Sequence, residues 1–153
     1  MKRARVVIGA NFGDEGKGLF TDYLCGTEGA GMVVRFNGGA QAGHTVCTPS
    51  GLRHVFSHFG SGTLCHVPTF LSKFFICNPI LFLKELEELG KTGVVPSIYA
   101  DPKCLVTTFA DMIINQRKED AKAGGRHGSV GVGINETVSR SSLSHRHIAM
   151  ADL

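Results

Sequence analysis

Three glycine-dense loops constrain what this chain can fold into more than any other feature of its sequence. They cover residues 9–18, 38–43 and 124–133 and hold much of the glycine, which makes up 20 of the 153 residues. Glycine is favoured where a backbone turns sharply or approaches another group closely. Because the first two loops each follow a short β-branched apolar run, the pattern predicts strands that lead directly into glycine loops.

The order of apolar runs and loops predicts an α/β fold, with a mostly parallel sheet, flanking helices and a P-loop-like phosphate loop after the first strand. The length suits a single domain. Asn78 and Pro79 predict the start of one helix and Gly90 its end, whereas Gly26 and Gly29 are expected to end an earlier helix. Predicted strands cover residues 5–9, 32–36, 70–77 and 97–100, a predicted hairpin covers 45–57, and predicted helices cover 19–25, 79–90 and 106–123.

Composition argues against several classes of protein. The net charge is only +3, and no arginine stripe interleaved with aromatic residues occurs, so nucleic acid is not expected as a partner. The most apolar later stretch, residues 74–83, contains Asn78 and Pro79 and is too short to cross a bilayer. The five cysteines include no CxxC pair, which favours reduced, mostly buried thiols in a cytoplasmic protein.

The first loop has the chemistry of a phosphate site. In residues 9–18 a predicted strand leads through glycines to a predicted helix, so backbone N–H groups and Lys17 can converge on an anion. The loop departs from the standard P-loop because Gly18 follows Lys17, where a Mg²⁺-binding hydroxyl would stand. Asp14 can supply that oxygen ligand instead. The alternative is an ordinary turn with surface charges.

The second loop, residues 37–45, also follows a predicted strand and should therefore lie at the same carboxyl edge of the sheet. Gln41 can bind an amide or a phosphate, and His44 can donate a proton or stabilise an oxyanion. The alternative is that His44 is a structural histidine. In the third loop Ser129 lies among alternating glycines and could hold a second phosphate, although a simple hairpin fits equally well.

Together these loops resemble the adenylosuccinate synthetase family, which joins L-aspartate to inosine monophosphate (IMP) with hydrolysis of GTP. The resemblance rests on GDEGKG at residues 13–18, AGHT at 42–45 and GSVGVGI at 128–134. It covers essentially the whole chain, residues 1–153, and implies the N-terminal part of a longer α/β domain and a homodimer.

The resemblance also implies roles for the loop residues. Asp14 would act as the general base at N1 of the purine, His44 would stabilise the 6-oxygen and act as acid, and Lys17 would complete the phosphate cradle. Asp14 and the carbonyl of Gly43 would hold Mg²⁺. The nucleotide-binding residues that it implies are Gly13, Asp14, Glu15, Gly16, Lys17, Gly18, Gln41, Ala42, Gly43, His44, Thr45 and Ser129, with Arg140 or Arg146 reaching across the dimer.

Three departures from the family pattern leave alternatives open. Asn37 and Gln41 stand where the family usually has glutamine and asparagine, and Val130 replaces a threonine. These changes resemble a shorter viral branch, some of whose members ligate aspartate to dGMP, and ATP is an alternative to GTP as phosphoryl donor. Since Asp14 is present, IMP is the expected acceptor. A catalytically incomplete nucleotide-binding module, or a folded remnant without ligand, is the alternative of another class.

Overall fold

The computed structural model describes residues 3–122, 131–143 and 148–153 and has the α/β order that the sequence predicts. None of the helices in these ranges is both long and apolar enough to cross a membrane. The helices are α1 (Lys17–Glu28), α2 (Pro79–Lys91), α3 (Phe109–Asp120) and α4 (Ile134–Leu143). The strands are β1 (Val33–Arg35), β2 (His44–Cys47), β3 (Arg53–Phe56), β4 (Thr69–Leu71), β5 (Ile76–Cys77), β6 (Ile98–Ala100) and β7 (Leu105–Val106).

The central sheet is parallel and runs in the order β1–β4–β6. A second parallel pair, β5 with β7, lies beyond it, and β2 and β3 form the predicted antiparallel hairpin around the turn at Gly51, where φ is +88°. The predicted strand over residues 70–77 is divided into β4 and β5, because Ser72 and Phe75 close a turn between them. The fold class predicted from the sequence is confirmed.

The predicted first strand is wrong in this structure. Residues 5–9 form no strand, and the side chains of Val6 and Ile8 are 72% and 74% exposed. A β-branched run becomes a strand only when it finds a partner strand and a surface to cover it. In this segment Arg5 forms an ion pair with Glu28 at the end of α1.

Local capping chemistry explains most helix ends. The side chain of Asn78 accepts hydrogen bonds from the backbone of Ile80 and Leu81, and Pro79 is the first residue of α2, as predicted. Gly29 ends α1 with a φ of +65°, as predicted, whereas Gly26 lies within the helix. The prediction for Gly90 is wrong by two residues, since α2 continues to Lys91 and is capped by Thr92.

The core consists of two neighbouring apolar clusters that lie between α2 and one face of the central sheet. Leu89 packs with side chains of the hairpin, and Phe75 packs with Leu71 of β4; Phe82 and Ile98 contact both clusters. The buried members of the two clusters are Val46, Phe56, Phe59, Leu89, Leu71, Phe75, Cys77 and Cys104. Because Val46 belongs to β2, this packing anchors β2 and the loop that leads into it.

Candidate functional site

The first loop places a strained backbone at the start of α1. Gly13 has a φ of +128° and Gly16, the residue that caps α1, has a φ of +75°. Asp14 has a φ of +57°, a left-handed conformation that is uncommon for a residue with a side chain. Such conformations are typical of binding and catalytic sites, where the surrounding structure holds them in place.

Glu15 organises the first loop through its carboxylate. Its Oε1 accepts hydrogen bonds from the backbone N–H of Asn11 and of Gly13, and its Oε2 pairs with Lys17. The Lys17 ammonium and these backbone donors lower the pKa of Glu15 to about 2. An exposed carboxylate therefore sits on donors of the kind that a phosphate would use.

Gly18 brings the second loop against the first. A Cβ built on Gly18 would lie 2.7 Å from the Cβ of His44 and 3.0 Å from its backbone carbon. Helix α1 and strand β2 therefore touch here, and only glycine allows this approach. The close contact involves backbone atoms of β2. The position of His44 beside the first loop is therefore set by the backbone of that strand.

The two loops together line a cavity of about 220 Å³. Gln41 and Ala42 belong to the second loop but are not among the lining residues. The lining residues are Asp14, Glu15, Gly16, Lys17, Gly18, Gly43, His44 and Thr45. Motifs about 30 residues apart in the sequence thus meet in one site, although the first loop follows no strand in this structure.

The imidazole of His44 is poised as a neutral donor. Partial burial, with a smaller contribution from the positive charges of Arg35 and Lys17, lowers its pKa to about 4. The Nδ1 atom lies 3.4 Å from Nη1 of Arg35. Because a guanidinium can only donate, Nδ1 is the acceptor and Nε2 carries the ring proton. His44 can therefore donate a hydrogen bond from Nε2 without carrying a charge.

A buried charged network lies behind His44 and was missed by the sequence analysis. Arg35 is 7% exposed, lies 5.1 Å from the centre of the Phe75 ring and interacts electrostatically with Glu85. The carboxylate of Glu85, in α2, accepts hydrogen bonds from the backbone N–H groups of Ser57, His58 and Phe59. Glu85 thus ties α2 to the segment after the hairpin, directly behind the site.

A signal for this network was present in the sequence. Glu85 stands three residues after Phe82 and four before Leu89, on the apolar stripe of α2. A carboxylate in such a stripe needs buried partners, because an unpaired buried charge is very costly.

His58 is one of these partners. The backbone N–H of Asn78 donates to Nε2 of His58, so Nδ1 carries the ring proton. That nitrogen faces Glu85 at 3.4 Å.

Arg140 points into its own chain. Its guanidinium donates to both carboxylate oxygens of Asp111, in α3, and to the carbonyl of Val106. Ser129 and Arg146 lie outside the described residues.

The fold and motifs match one protein family. The family model described as adenylosuccinate synthetase matches residues 6–153. The chain is 37% identical over 148 residues to adenylosuccinate synthetase 1 of Photorhabdus laumondii, which covers 91% of the chain and 32% of the relative. It is 33% identical to the adenylosuccinate synthetase of Dichelobacter nodosus, covering all of the chain and 36% of the relative. The chain therefore spans about a third of the length of the curated relatives that it matches.

Solved structures agree with these matches. The fully ligated adenylosuccinate synthetase of Plasmodium falciparum superposes with a TM-score of 0.78 at 27% identity, over 94% of this chain and 33% of that one. The succinoaminodeoxyadenylate synthetase of cyanophage S-2L, solved with dGMP and with dATP as energy donor, superposes with a TM-score of 0.71 at 18% identity. It covers 92% of this chain and 39% of that one, and at this identity the likeness concerns the fold alone.

Proposed function

The chain belongs to the adenylosuccinate synthetase family, and on that premise we propose that it carries the proton-transfer and phosphate-binding part of an enzyme that ligates L-aspartate to IMP. The reaction would consume GTP, pass through a 6-phosphoryl intermediate and give adenylosuccinate in purine nucleotide biosynthesis. The observation that supports this most directly is the single cavity lined by Asp14, Lys17, Gly43 and His44.

The proposed roles follow from the chemistry of each side chain. Asp14 is exposed in the loop and takes the proton from N1 of the purine. His44 donates from Nε2 to the 6-oxygen as negative charge develops there, and its neutral state suits it to this role. Lys17 and the N–H groups at the start of α1 hold the transferring phosphoryl group.

The donor set fits Mg²⁺. Asp14 and Gly43 both line the cavity and offer a carboxylate oxygen and a backbone carbonyl oxygen. Within the described ranges no three His, Cys, Asp or Glu side chains cluster as a metal site. That sparse set suits Mg²⁺, which commonly takes one or two protein carboxylates together with substrate phosphates. The ion would neutralise charge on the phosphoryl group.

Nucleotide binding would displace Glu15 from the loop. In the structure Glu15 accepts from the backbone of Asn11 and Gly13 and pairs with Lys17. An incoming phosphate competes for the same lysine and for loop N–H groups. We therefore propose that Glu15 swings away when the nucleotide binds, leaving Lys17 free to contact phosphate.

The remaining parts of the proposal concern assembly and location. We propose a homodimer in which Arg146 reaches the partner's site, since Arg140 is committed to Asp111. Residues 1–153 would form the N-terminal part of a larger α/β domain. The free thiols of all five cysteines support a cytoplasmic location.

Titration calorimetry and a turnover assay test this proposal in two steps. We expect the chain to bind IMP and Mg-GTP, and binding of IMP to be lost in Asp14→Asn but kept in the matched control Glu88→Gln, which changes an exposed carboxylate on α2. Binding without turnover by this chain indicates a nucleotide-binding module. Failure to bind either nucleotide contradicts the proposal.

The substrate assignment has its own test. The same titration with dGMP in place of IMP, and with ATP in place of GTP, compares the viral-type alternative directly. Asp14 is the feature that favours IMP. Binding of dGMP at concentrations where IMP does not bind would overturn the choice of acceptor while leaving the ligase proposal intact.

A further inference from the structure

One face of the central sheet is bare. In the register of the three parallel strands, Val34 of β1 lies beside Phe70 of β4, and Phe70 lies beside Tyr99 of β6. Val34 is 49% exposed and Tyr99 is 55% exposed. Phe36, just past the end of β1, is 45% exposed. These four residues, Val34, Phe36, Phe70 and Tyr99, are called the Val34 face below.

The opposite face packs against the core. Arg35, Leu71 and Ala100 form the next row of the register, and their side chains point the other way because strand side chains alternate. Leu71 is 1% exposed and packs with Phe75, while Ile98 packs against Leu89 of α2. Residues of the core cover the face that includes Leu71, whereas Val34 and Tyr99 on the other face are exposed.

A bare apolar face is unusual for a parallel sheet. Parallel sheets occur almost only with both faces buried, whereas antiparallel sheets tolerate water on one side. The Val34 face carries three aromatic rings and no charged side chain. Val6 and Ile8 are also exposed in a β-branched run that has no partner strand. The exposed apolar row indicates that a layer of polypeptide belongs against the Val34 face.

The relatives indicate what that layer is. The chain covers only 32% and 36% of two curated relatives and 33% of the Plasmodium falciparum structure. We propose that the Val34 face is the docking surface for the polypeptide that family members carry beyond this N-terminal third, with an amphipathic helix laid across Val34, Phe70 and Tyr99. The uncharged row fits the apolar stripe of such a helix.

Co-expression tests this docking directly. The tagged 153-residue chain is produced together with the part of the Photorhabdus laumondii relative that follows its aligned region, and the complex is analysed by affinity capture and light scattering. We expect an equimolar complex. Val34→Asp should reduce capture at least tenfold, and Tyr99→Asp, at the other end of the row, should do the same. Val95→Asp is the matched control, because Val95 is 89% exposed and lies outside the sheet.

Each outcome decides the proposal. Circular dichroism establishes that a variant folds, and if Val34→Asp does not, Tyr99→Asp decides. The absence of capture by the unmodified chain, or capture that neither substitution in the row weakens, overturns the proposal. So does a dimer of the chain alone that Val34→Asp dissociates, because the occupant would then be a second copy. Since no nucleotide is involved, this result is independent of the test of the ligase proposal.

Discussion

At the scale of single residues, the electrostatics of His44 are the most informative feature of the site. Burial and two nearby cations lower its pKa to about 4 from an ordinary value of 6.5. The unfolded chain therefore takes up a proton before the folded chain does. Any contribution of the neutral imidazole to stability is present above pH 6.5 and is lost as the pH falls towards 4.

Nuclear magnetic resonance of the histidine rings measures this shift. We expect one ring, assigned by its disappearance in His44→Gln, to titrate with a midpoint near 4. Replacing Lys17 by Met removes one of the cations and should raise that midpoint, whereas Lys91→Met, an exposed lysine of α2, should leave it unchanged. A midpoint near 6.5 in the unmodified chain would show that His44 is not buried between cations.

Glu15 supplies a second prediction at this scale. Its carboxylate neutralises Lys17 and holds N–H groups of the loop, so it competes with an incoming phosphate. We expect Glu15→Gln to bind Mg-GTP more tightly, by roughly two- to fivefold, as is typical for loss of an exposed ion pair. Calorimetry checks this, with Glu87→Gln as the control because Glu87 pairs with a lysine, Lys91, on α2 and outside the loop. Weaker binding by Glu15→Gln would indicate that Glu15 supports the nucleotide instead.

At the scale of elements, the contact between α1 and β2 sets the position of the site. An added Cβ at Gly18 would lie 2.7 Å from the Cβ of His44, and neither backbone can move easily. We expect Gly18→Ala to lower the free energy of unfolding by about 1–3 kcal/mol, as overpacking generally does. It should also shift the ring resonances of His44, because the strand must retreat from the helix.

Gly90 is the matched control for Gly18. It also lies within a helix, but a Cβ there would meet nothing within 4 Å. We expect Gly90→Ala to raise stability by about 0.4–1 kcal/mol, because alanine restricts the unfolded chain. Urea unfolding of both variants measures the contrast. Equal effects at the two positions would contradict the close approach of α1 to β2.

The elements also show what sequence reasoning can and cannot reach. The cap at Asn78 and the end of α1 at Gly29 depend on neighbouring residues, so the sequence alone predicted them. The strand expected over residues 5–9 failed because a strand depends on a distant partner that its own sequence does not specify. The two glycine loops that line the cavity were recognisable because glycine is favoured wherever the backbone must approach another group closely.

At the scale of the whole molecule, Glu85 joins parts of the chain that are far apart in sequence. Its helix, α2, is tied through the carboxylate to the backbone of residues 57–59 and faces His54 at 3.7 Å. Sequence analysis missed this link because its partners lie 26 to 28 residues away. The same residue also acts on Arg35, which lies behind His44. The stability of the fold and the charge at the site are therefore coupled.

This coupling predicts how the molecule responds to acid. Burial alone would raise the pKa of Glu85, but contacts with His54, His58 and Ser57 outweigh it and hold the pKa below its ordinary value of 4.5. A carboxylate whose pKa is lowered on folding contributes its full stabilisation at pH values above its pKa in the unfolded chain. That contribution is lost as the pH falls below this value.

We expect Glu85→Gln to lower the free energy of unfolding by about 2–4 kcal/mol at pH 7, since it leaves buried donors without a charged acceptor. Between pH 5 and pH 3 the variant should lose less further stability than the unmodified chain, whereas Glu88→Gln on the exposed side of α2 should behave like the unmodified chain. Urea unfolding across this pH range distinguishes the two, and parallel curves for Glu85→Gln and the unmodified chain would mean that the acid sensitivity arises elsewhere.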